Sequence, residues 1–135
     1  MPACWLLKTE PSEYSFDQLT HEKRTVWEGV TNNLALKHLR SMKKGDLAFV
    51  YHTGDEKAVV GIAEVASDPY PDPRKNDVKL VVIDLKPREK LSNPVTLEQI
   101  KADRKFARFD LATISRLSVM PVSQPIWDAI LKMAK

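Results

Sequence analysis

The chain has 135 residues, of which 43% are hydrophobic and 29% are charged, and this size and composition are typical of one globular domain. No stretch approaches the roughly 18 consecutive apolar residues of a transmembrane helix, so we expect no membrane span. The single cysteine, Cys4, excludes a disulfide within the chain and favours an intracellular, reducing compartment. The N-terminal residues show no basic leader before an apolar core, so we expect no signal peptide.

The net charge of +3, with a pI of about 9.0, permits an anionic partner without requiring one. Positive charge is concentrated in residues 86–108, where seven lysines and arginines stand against three acids. This segment contains Lys105 and Arg108. It is either a solvated face or a surface that faces phosphate groups, and the sequence leaves both interpretations open.

The first third of the chain predicts a strand followed by two helices. Residues 4–9, Cys-Trp-Leu-Leu-Lys-Thr, form the apolar run of a buried strand. Ser15 and Gln18 have the spacing of a capping box, which predicts a short helix beginning at the next residue after the serine. In residues 33–42, leucines and a methionine recur on one helical face, so we expect a second helix that packs against the core.

The rest of the chain changes to strand patterns and ends in a helix. Residues 67–77, with three prolines, predict a long loop. Thr96 and Gln99 form a second capping box, and Ser123 is placed to cap the closing helix. The predicted elements are strands at 46–52, 58–66 and 78–86, a helix at 94–103, an extended segment at 116–122 and a helix at 124–135.

This order of elements predicts an α+β fold in a single domain that spans residues 1–135. The central strands follow one another closely, and a short turn cannot make a parallel crossover, so we expect them to pair antiparallel. The helices fall in the connections at both ends of the chain. We therefore predict a compact, strongly curved sheet or partly closed β-barrel of about five to six strands with flanking helices.

Sequence signatures of enzymes are absent. The four glycines are too scattered for a phosphate-binding loop, and no nucleophile motif or metal-ligand spacing occurs. We therefore predict neither an enzyme nor a cofactor. Cys4 is interpreted as a small buried hydrophobe. His52, at the end of an apolar strand, is interpreted either as a structural histidine or as a residue that lines a cavity.

Trp27 is the tryptophan whose position most suggests a ligand. It lies in residues 24–33, Arg-Thr-Val-Trp-Glu-Gly-Val-Thr-Asn-Asn, which have the composition of a turn. An indole at a loop rim can stack on a nucleobase, and such stacking contributes about 1–3 kcal/mol. Tyr70, in the proline-rich loop, is a candidate for a second aromatic wall. The alternative is that Trp27 plugs one end of the barrel, and the residues alone leave both interpretations open.

Six sequence blocks then point to a known family. They are WLLKTEP, VWEGVTN, MKKGDLAFVYH, VVGIAEVASDPYPDP, PVTLEQIK and SRLSVMPVSQPIW. In this order and spacing they resemble the EVE domain family, which is related to the PUA, ASCH and YTH domains, and the resemblance covers essentially the whole chain. It implies a PUA-like, compact β-barrel with flanking helices and a pocket for a nucleic-acid base.

The resemblance also implies roles for particular residues. It makes Trp27 the pocket tryptophan and places Lys8 and Thr9 at the border of the pocket. It gives Asn32 a hydrogen bond to the base or its sugar and Arg116 a phosphate contact. Many members have arginine where this chain has Thr31. With the candidates above, the expected ligand-binding residues are Trp27, Lys8, Thr9, Val30, Asn32, Tyr70, His52 and Ser118, and the expected phosphate-binding residues are Arg116, Lys105 and Arg108.

We therefore expect a nucleic-acid-binding reader whose aromatic pocket accommodates a flipped or single-stranded modified base, with modified cytosine such as 5-methylcytosine in DNA favoured. The expected partners are DNA with modified bases or RNA, and a separate effector protein, with no membrane. The expected location is cytoplasmic, on the nucleoid in a bacterium or in the nucleus of a eukaryote. The alternatives are an RNA-binding module of the PUA type, a sensor of a free nucleotide or other small molecule, and a structural adaptor without a ligand.

Overall fold

The computed structural model describes residues 3–135, so the first two residues of the predicted domain lie outside the described part. The described chain contains seven strands, five α-helices and one 3-10 helix, and none of these helices is long and apolar enough to cross a membrane. In chain order the elements are β1 (Cys4–Thr9), α1 (Phe16–Glu22), β2 (Thr25–Trp27), α2 (Asn33–Ser41), β3 (Leu47–His52), β4 (Ala58–Val65), β5 (Tyr70–Pro71), β6 (Val81–Thr96), α3 (Leu97–Ala102), the 3-10 helix (Arg104–Phe106), α4 (Asp110–Thr113), β7 (Val119–Val122) and α5 (Gln124–Met133).

The strands form one mixed sheet in the order β2-β6-β4-β3-β1-β7, and β5 also pairs with β6. Strands β3, β4 and β6 pair antiparallel, as predicted. Strands β1 and β3 pair in parallel, because the two helices and β2 between them provide the crossover that a parallel pair requires. The end strands β2 and β7 do not pair with each other within the described chain. The predicted α+β fold with a curved sheet and flanking helices is thus confirmed, in its open form.

Several boundaries differ from the prediction, and each difference has a nonlocal cause. The sheet has seven strands rather than five or six, because pairing with β6 adds the very short strands β2 and β5. Strand β6 runs well beyond the predicted end at residue 86, since it pairs with β4 as far as Ala58 opposite Thr96. Thr96 then caps α3 with the predicted reciprocal capping box with Gln99. Ser123 occupies the N-cap of α5, but its side chain makes no capping hydrogen bond.

Helix α1 is held against the sheet by contacts at its first residue, Phe16. A Cβ atom on Gly61 of β4 would lie 2.5 Å from the Phe16 ring, so only glycine lets this ring approach the strand. The backbone N–H of Phe16 donates to His52 Nε2 at 3.0 Å, at the end of β3. These two contacts fix the start of α1. They thereby hold Tyr14, two residues before Phe16, beside the end of β1.

Asp46 connects the other end of β1 to β3. Its buried carboxylate accepts the backbone N–H groups of Ala3 and Lys43, at 3.1 and 2.9 Å, and the indole N–H of Trp5 at 3.0 Å. These three donors satisfy the Asp46 carboxylate, which would otherwise be costly to bury. The parallel register of β1 on β3 is therefore fixed by side-chain chemistry as well as by the ladder.

Candidate nucleic-acid interface

A cavity of about 620 Å³ opens where β1 ends, and it gathers residues that are far apart in the chain. Strand β1, the segment before α1, strand β2 and the residue before β7 all contribute walls. Its size is within the usual range for small-molecule and base-binding sites. The lining residues are Lys8, Thr9, Glu10, Glu13, Tyr14, Gln18, Glu22, Thr25, Val26, Trp27, Glu28, Gly29, Val30 and Ser118.

Trp27 forms part of the cavity wall, although only 8% of its surface is exposed. The prediction that it sits on a turn was wrong, because it ends the short strand β2, where it pairs with Ile83 of β6. The chain leaves β2 through Gly29, whose φ of +81° is readily adopted only by glycine. Trp27 is thus both a core residue and a rigid surface facing the cavity.

The second aromatic residue of the cavity is Tyr14, which no sequence pattern singled out. Its ring meets Trp27 edge to face, with 6.1 Å between the ring centroids and an angle of 84°. The Tyr14 hydroxyl donates to Glu22 Oε1 at 2.6 Å. Burial and this hydrogen bond raise the pKa of Tyr14 to about 12, so the phenol remains a hydrogen-bond donor at neutral pH. Tyr14 directly precedes Ser15, the N-cap of α1, so the sequence places it at a helix start. No sequence pattern predicts its contact with Trp27.

Lys8 holds the opposite rim of the cavity in place. Its ammonium group donates to the carbonyl of Ser115 at 2.9 Å and lies 5.7 Å from the centroid of the Tyr51 ring, and its backbone N–H donates to the carbonyl of Ser118. Burial lowers the pKa of Lys8. The same rim includes a turn in which the Leu117 N–H donates to the Ile114 carbonyl. This turn carries the exposed Arg116, which lies between Ser115 and Ser118, the two residues that bind Lys8.

The cavity lining is acidic overall, with one cation against four carboxylates. The charged lining residues are Lys8, Glu10, Glu13, Glu22 and Glu28. Glu28 forms an ion pair with Arg74, which lies outside the cavity. A negative lining favours hydrogen-bond donors and disfavours phosphate. Among the described residues no group of three or more His, Cys, Asp or Glu side chains is arranged to hold a metal ion.

Three predicted ligand-binding residues do not line this cavity. Asn32 is the N-cap of α2, where its side chain accepts the N–H of Ala35. His52 is buried and lies between the Phe16 N–H on Nε2 and Glu56 on Nδ1, an arrangement that places the ring hydrogen on Nδ1. Sequence reasoning could not separate this structural role from a cavity role, because the Phe16 contact joins residues 36 positions apart and is set by the tertiary fold.

Tyr70, the third of these residues, lines a neighbouring cavity, which shares Thr25, Val26 and Glu28 with the first. Its hydroxyl donates to Asp84 at 2.6 Å, and this bond, with burial, raises the pKa of Tyr70 to about 12. Burial of Asp84 opposes its ionisation, but hydrogen bonds from Tyr70 and Arg24 outweigh burial and lower the pKa of the carboxyl. Tyr70 lines only this cavity and Trp27 lines only the first, so the two rings are not the two walls of one site.

Lys105 and Arg108 line a third cavity, at the opposite end of β1, together with Trp5. With a rise of about 3.3 Å per strand residue, Trp5 lies roughly 13 Å from Thr9 along the strand.

The cations of the basic segment 86–108 fall into two groups, those paired with acids and those without an ion pair. Its members in β6 are paired with acids: Lys86 and Arg88 with Glu64, and Lys90 with Asp17. Within residues 3–135 no ion pair involves Lys101, Arg104, Lys105 or Arg108.

Comparison with solved structures identifies the fold. A protein from Rhodopseudomonas palustris is 42% identical, with a TM-score of 0.93 over 98% of this chain and 92% of that chain. The human THYN1 protein in complex with DNA containing 5-methylcytosine is 24% identical, with a TM-score of 0.91 over 98% of both chains. An ASCH protein from Zymomonas mobilis, 11% identical, matches with a TM-score of 0.62 over 97% of this chain and 95% of that chain. The fold is therefore the predicted PUA-like, ASCH-type fold.

Sequence comparison agrees with the structural one. Thymocyte nuclear protein 1 of Gallus gallus is 29% identical over 96% of this chain and 67% of its own length. The protein of the same name from Mus musculus is 28% identical over 96% of this chain and 72% of its own length. The family model of the EVE domain matches residues 3–133. The chain is a member of the EVE domain family.

Proposed function

We propose that this protein is a nucleic-acid reader that binds a modified base, with modified cytosine in DNA favoured, in the cavity beside Trp27. The observation that carries the proposal is this cavity, in which Trp27 and Tyr14 form an aromatic corner next to a polar rim. The human THYN1 protein, which shares the fold, is solved with DNA containing 5-methylcytosine. Membership of the same family makes this ligand class the first to test.

The base enters the cavity from a single strand or by flipping out of a duplex, and it lies against Trp27. Flipping costs a few kcal/mol, which stacking and phosphate contacts must offset. The Thr9 hydroxyl donates its hydrogen to the Tyr14 carbonyl at 2.7 Å, so towards a base it acts as an acceptor. Lys8 retains N–H groups beyond the one that binds Ser115, and these are available to a base carbonyl.

The phosphates lie outside the cavity, because its carboxylates repel them. Arg116 stands on the rim and binds the phosphate next to the inserted base. Lys105 and Arg108, at the other end of β1, bind backbone several nucleotides away. The proposed interface therefore follows the length of β1 and β7, from the acidic cavity to the basic end.

The test is a calorimetric titration with short single strands that carry one cytosine, 5-methylcytosine, 5-hydroxymethylcytosine or N6-methyladenine, as DNA and as RNA. One methyl group in a fitted pocket discriminates by about 1–3 kcal/mol, so we expect one modified cytosine in DNA to bind roughly 10- to 200-fold more tightly than cytosine. Equal affinity for modified and plain strands would contradict the proposal. Tighter binding of RNA without regard to modification would identify an RNA-binding module instead.

The basic end of the interface predicts a specific salt dependence. The double variant Lys105→Gln/Arg108→Gln should have a less negative slope of the logarithm of the binding constant against the logarithm of the salt concentration. For a single strand, the slope should change by about 0.7 for each phosphate contact that is lost. The matched control is Lys86→Gln/Arg88→Gln, since both of these cations are already paired with Glu64. A strand extending several nucleotides on each side of the modified base is required. If both double variants change the slope equally, the effect is one of net charge and Lys105 and Arg108 have no specific role.

A further inference from the structure

The Tyr14–Glu22 pair gives the proposed cavity a hydrogen-bond acceptor that is exposed and oriented by one hydrogen bond. Glu22 Oε1 accepts the Tyr14 hydroxyl at 2.6 Å, and Tyr14 is itself packed edge-on against Trp27. Trp27, Tyr14 and Glu22 therefore form a continuous chain of contacts along the cavity wall. A long glutamate side chain that is tethered in this way loses less conformational entropy when it binds a ligand.

Glu22 still has the capacity to accept another hydrogen bond. Within residues 3–135, no hydrogen bond is made to its second oxygen, Oε2. Of the other three carboxylates of the cavity, Glu10 accepts from Ser12 and Thr53, and Glu28 is paired with Arg74. The third, Glu13, has no side-chain hydrogen bond among the described residues to hold it in position. Glu22 is thus the carboxylate that is both held in position and free to bind along one edge.

A carboxylate acceptor distinguishes two classes of base. At C4 of a pyrimidine or C6 of a purine, cytosine and adenine carry an amino group, which donates, whereas thymine and guanine carry a carbonyl oxygen, which accepts. A carboxylate accepts well from the cytosine amino group, but it repels a carbonyl oxygen and leaves both acceptors without a donor. The surrounding glutamates act in the same direction because they favour donors throughout the cavity.

We propose that Glu22, oriented by Tyr14, is the specificity-determining residue that admits bases with an amino group at C4 of a pyrimidine or C6 of a purine and rejects those with a carbonyl oxygen there. This inference rests on the proposed function, since it assigns the base edge that the cavity reads. Trp27 then supplies affinity without regard to base identity. Glu22 supplies the choice between 5-methylcytosine and thymine, which carry the same methyl group.

That pair of bases makes the test specific, because the methyl contact is common to both. Single-stranded DNA of one sequence, with either 5-methylcytosine or thymine at the central position, is titrated into the unaltered protein, Glu22→Gln and Tyr14→Phe. The unaltered protein should prefer 5-methylcytosine by on the order of 10-fold or more. Glu22→Gln should reduce the preference to near unity, because a glutamine amide can turn its N–H₂ towards the thymine oxygen. Tyr14→Phe keeps the ring and should weaken the preference by releasing Glu22.

The control is Glu89→Gln, which removes the same charge from an exposed residue of β6 outside the cavity. It should retain the full preference, and thermal unfolding confirms that each variant is folded. A Glu22→Gln protein that binds 5-methylcytosine strands with an unchanged preference over thymine would overturn this inference and leave the reader function standing. If the unaltered protein binds neither strand, the proposed function fails, and the inference fails with it.

Discussion

Trp27→Ala is expected to weaken binding of a modified-base strand by about 5- to 150-fold, the equivalent of the 1–3 kcal/mol that stacking contributes. It should also lower the free energy of unfolding by about 3–5 kcal/mol, because Trp27 is 8% exposed and its removal leaves a void. Calorimetric titration gives the first quantity and denaturant unfolding gives the second. Binding is measured well below the unfolding transition, so that the two effects are separated.

The matched control for this change is Trp127→Ala. Trp127 is also buried, in α5, and its ring stacks on Phe49 with 3.8 Å between centroids, but it does not line the cavity. Its loss should lower stability by a similar amount and leave the affinity of the folded protein unchanged. If both variants lose affinity equally, or if neither does, Trp27 is a core plug and the base does not lie on it.

Asp46→Ala is expected to lower stability strongly without involving the cavity. The substitution leaves the backbone N–H groups of Ala3 and Lys43 and the indole N–H of Trp5 without an acceptor. The Trp5 donor is buried, and an unsatisfied buried donor costs about 1–3 kcal/mol. The Ala3 and Lys43 donors are only part-buried and add less, so the free energy of unfolding should fall by about 2–4 kcal/mol in denaturant titration. An asparagine amide offers only one acceptor oxygen, so Asp46→Asn should also be destabilising, but less so.

The control is Asp128→Ala, which removes an exposed carboxylate whose one side-chain hydrogen bond among the described residues is with the Gln124 amide. Surface substitutions of this kind usually stay within about 0.5 kcal/mol. A comparable loss of stability in both variants would show that Asp46 acts through net charge. A small loss in Asp46→Ala alone would show that water replaces the carboxylate as the acceptor.

Local signals predicted much of the fold. The apolar run of β1, the capping box at Thr96 and the hairpin of β3 and β4 lie where the sequence places them. Strands β2 and β5 were missed because three and two residues are too few for a periodic pattern, and they exist through pairing with β6. The pairing of β2 joins residues more than fifty positions apart in the chain, and a local sequence pattern cannot predict it.

The sequence likewise predicted only part of the candidate site. Five of the predicted residues line one cavity, namely Lys8, Thr9, Trp27, Val30 and Ser118. Tyr14 and Glu22 also line it, but the contact of Tyr14 with Trp27 depends on how α1 packs against Gly61. Lys105 and Arg108 are brought to the other end of β1 by the 3-10 helix and the turn after it, which carry no strong sequence signal.

The placement of the base against Trp27 is tested by following the indole N–H signals of the three tryptophans by ¹H–¹⁵N NMR during titration with a 5-methylcytosine strand. Trp27 borders the proposed base cavity, Trp5 borders the cavity at the far end of β1, and Trp127 is stacked in the core. We predict that the Trp27 signal shifts progressively and saturates with the binding isotherm, while the Trp127 signal stays in place. A strand that binds without moving the Trp27 signal, or that moves only the Trp5 signal, would contradict this placement of the base.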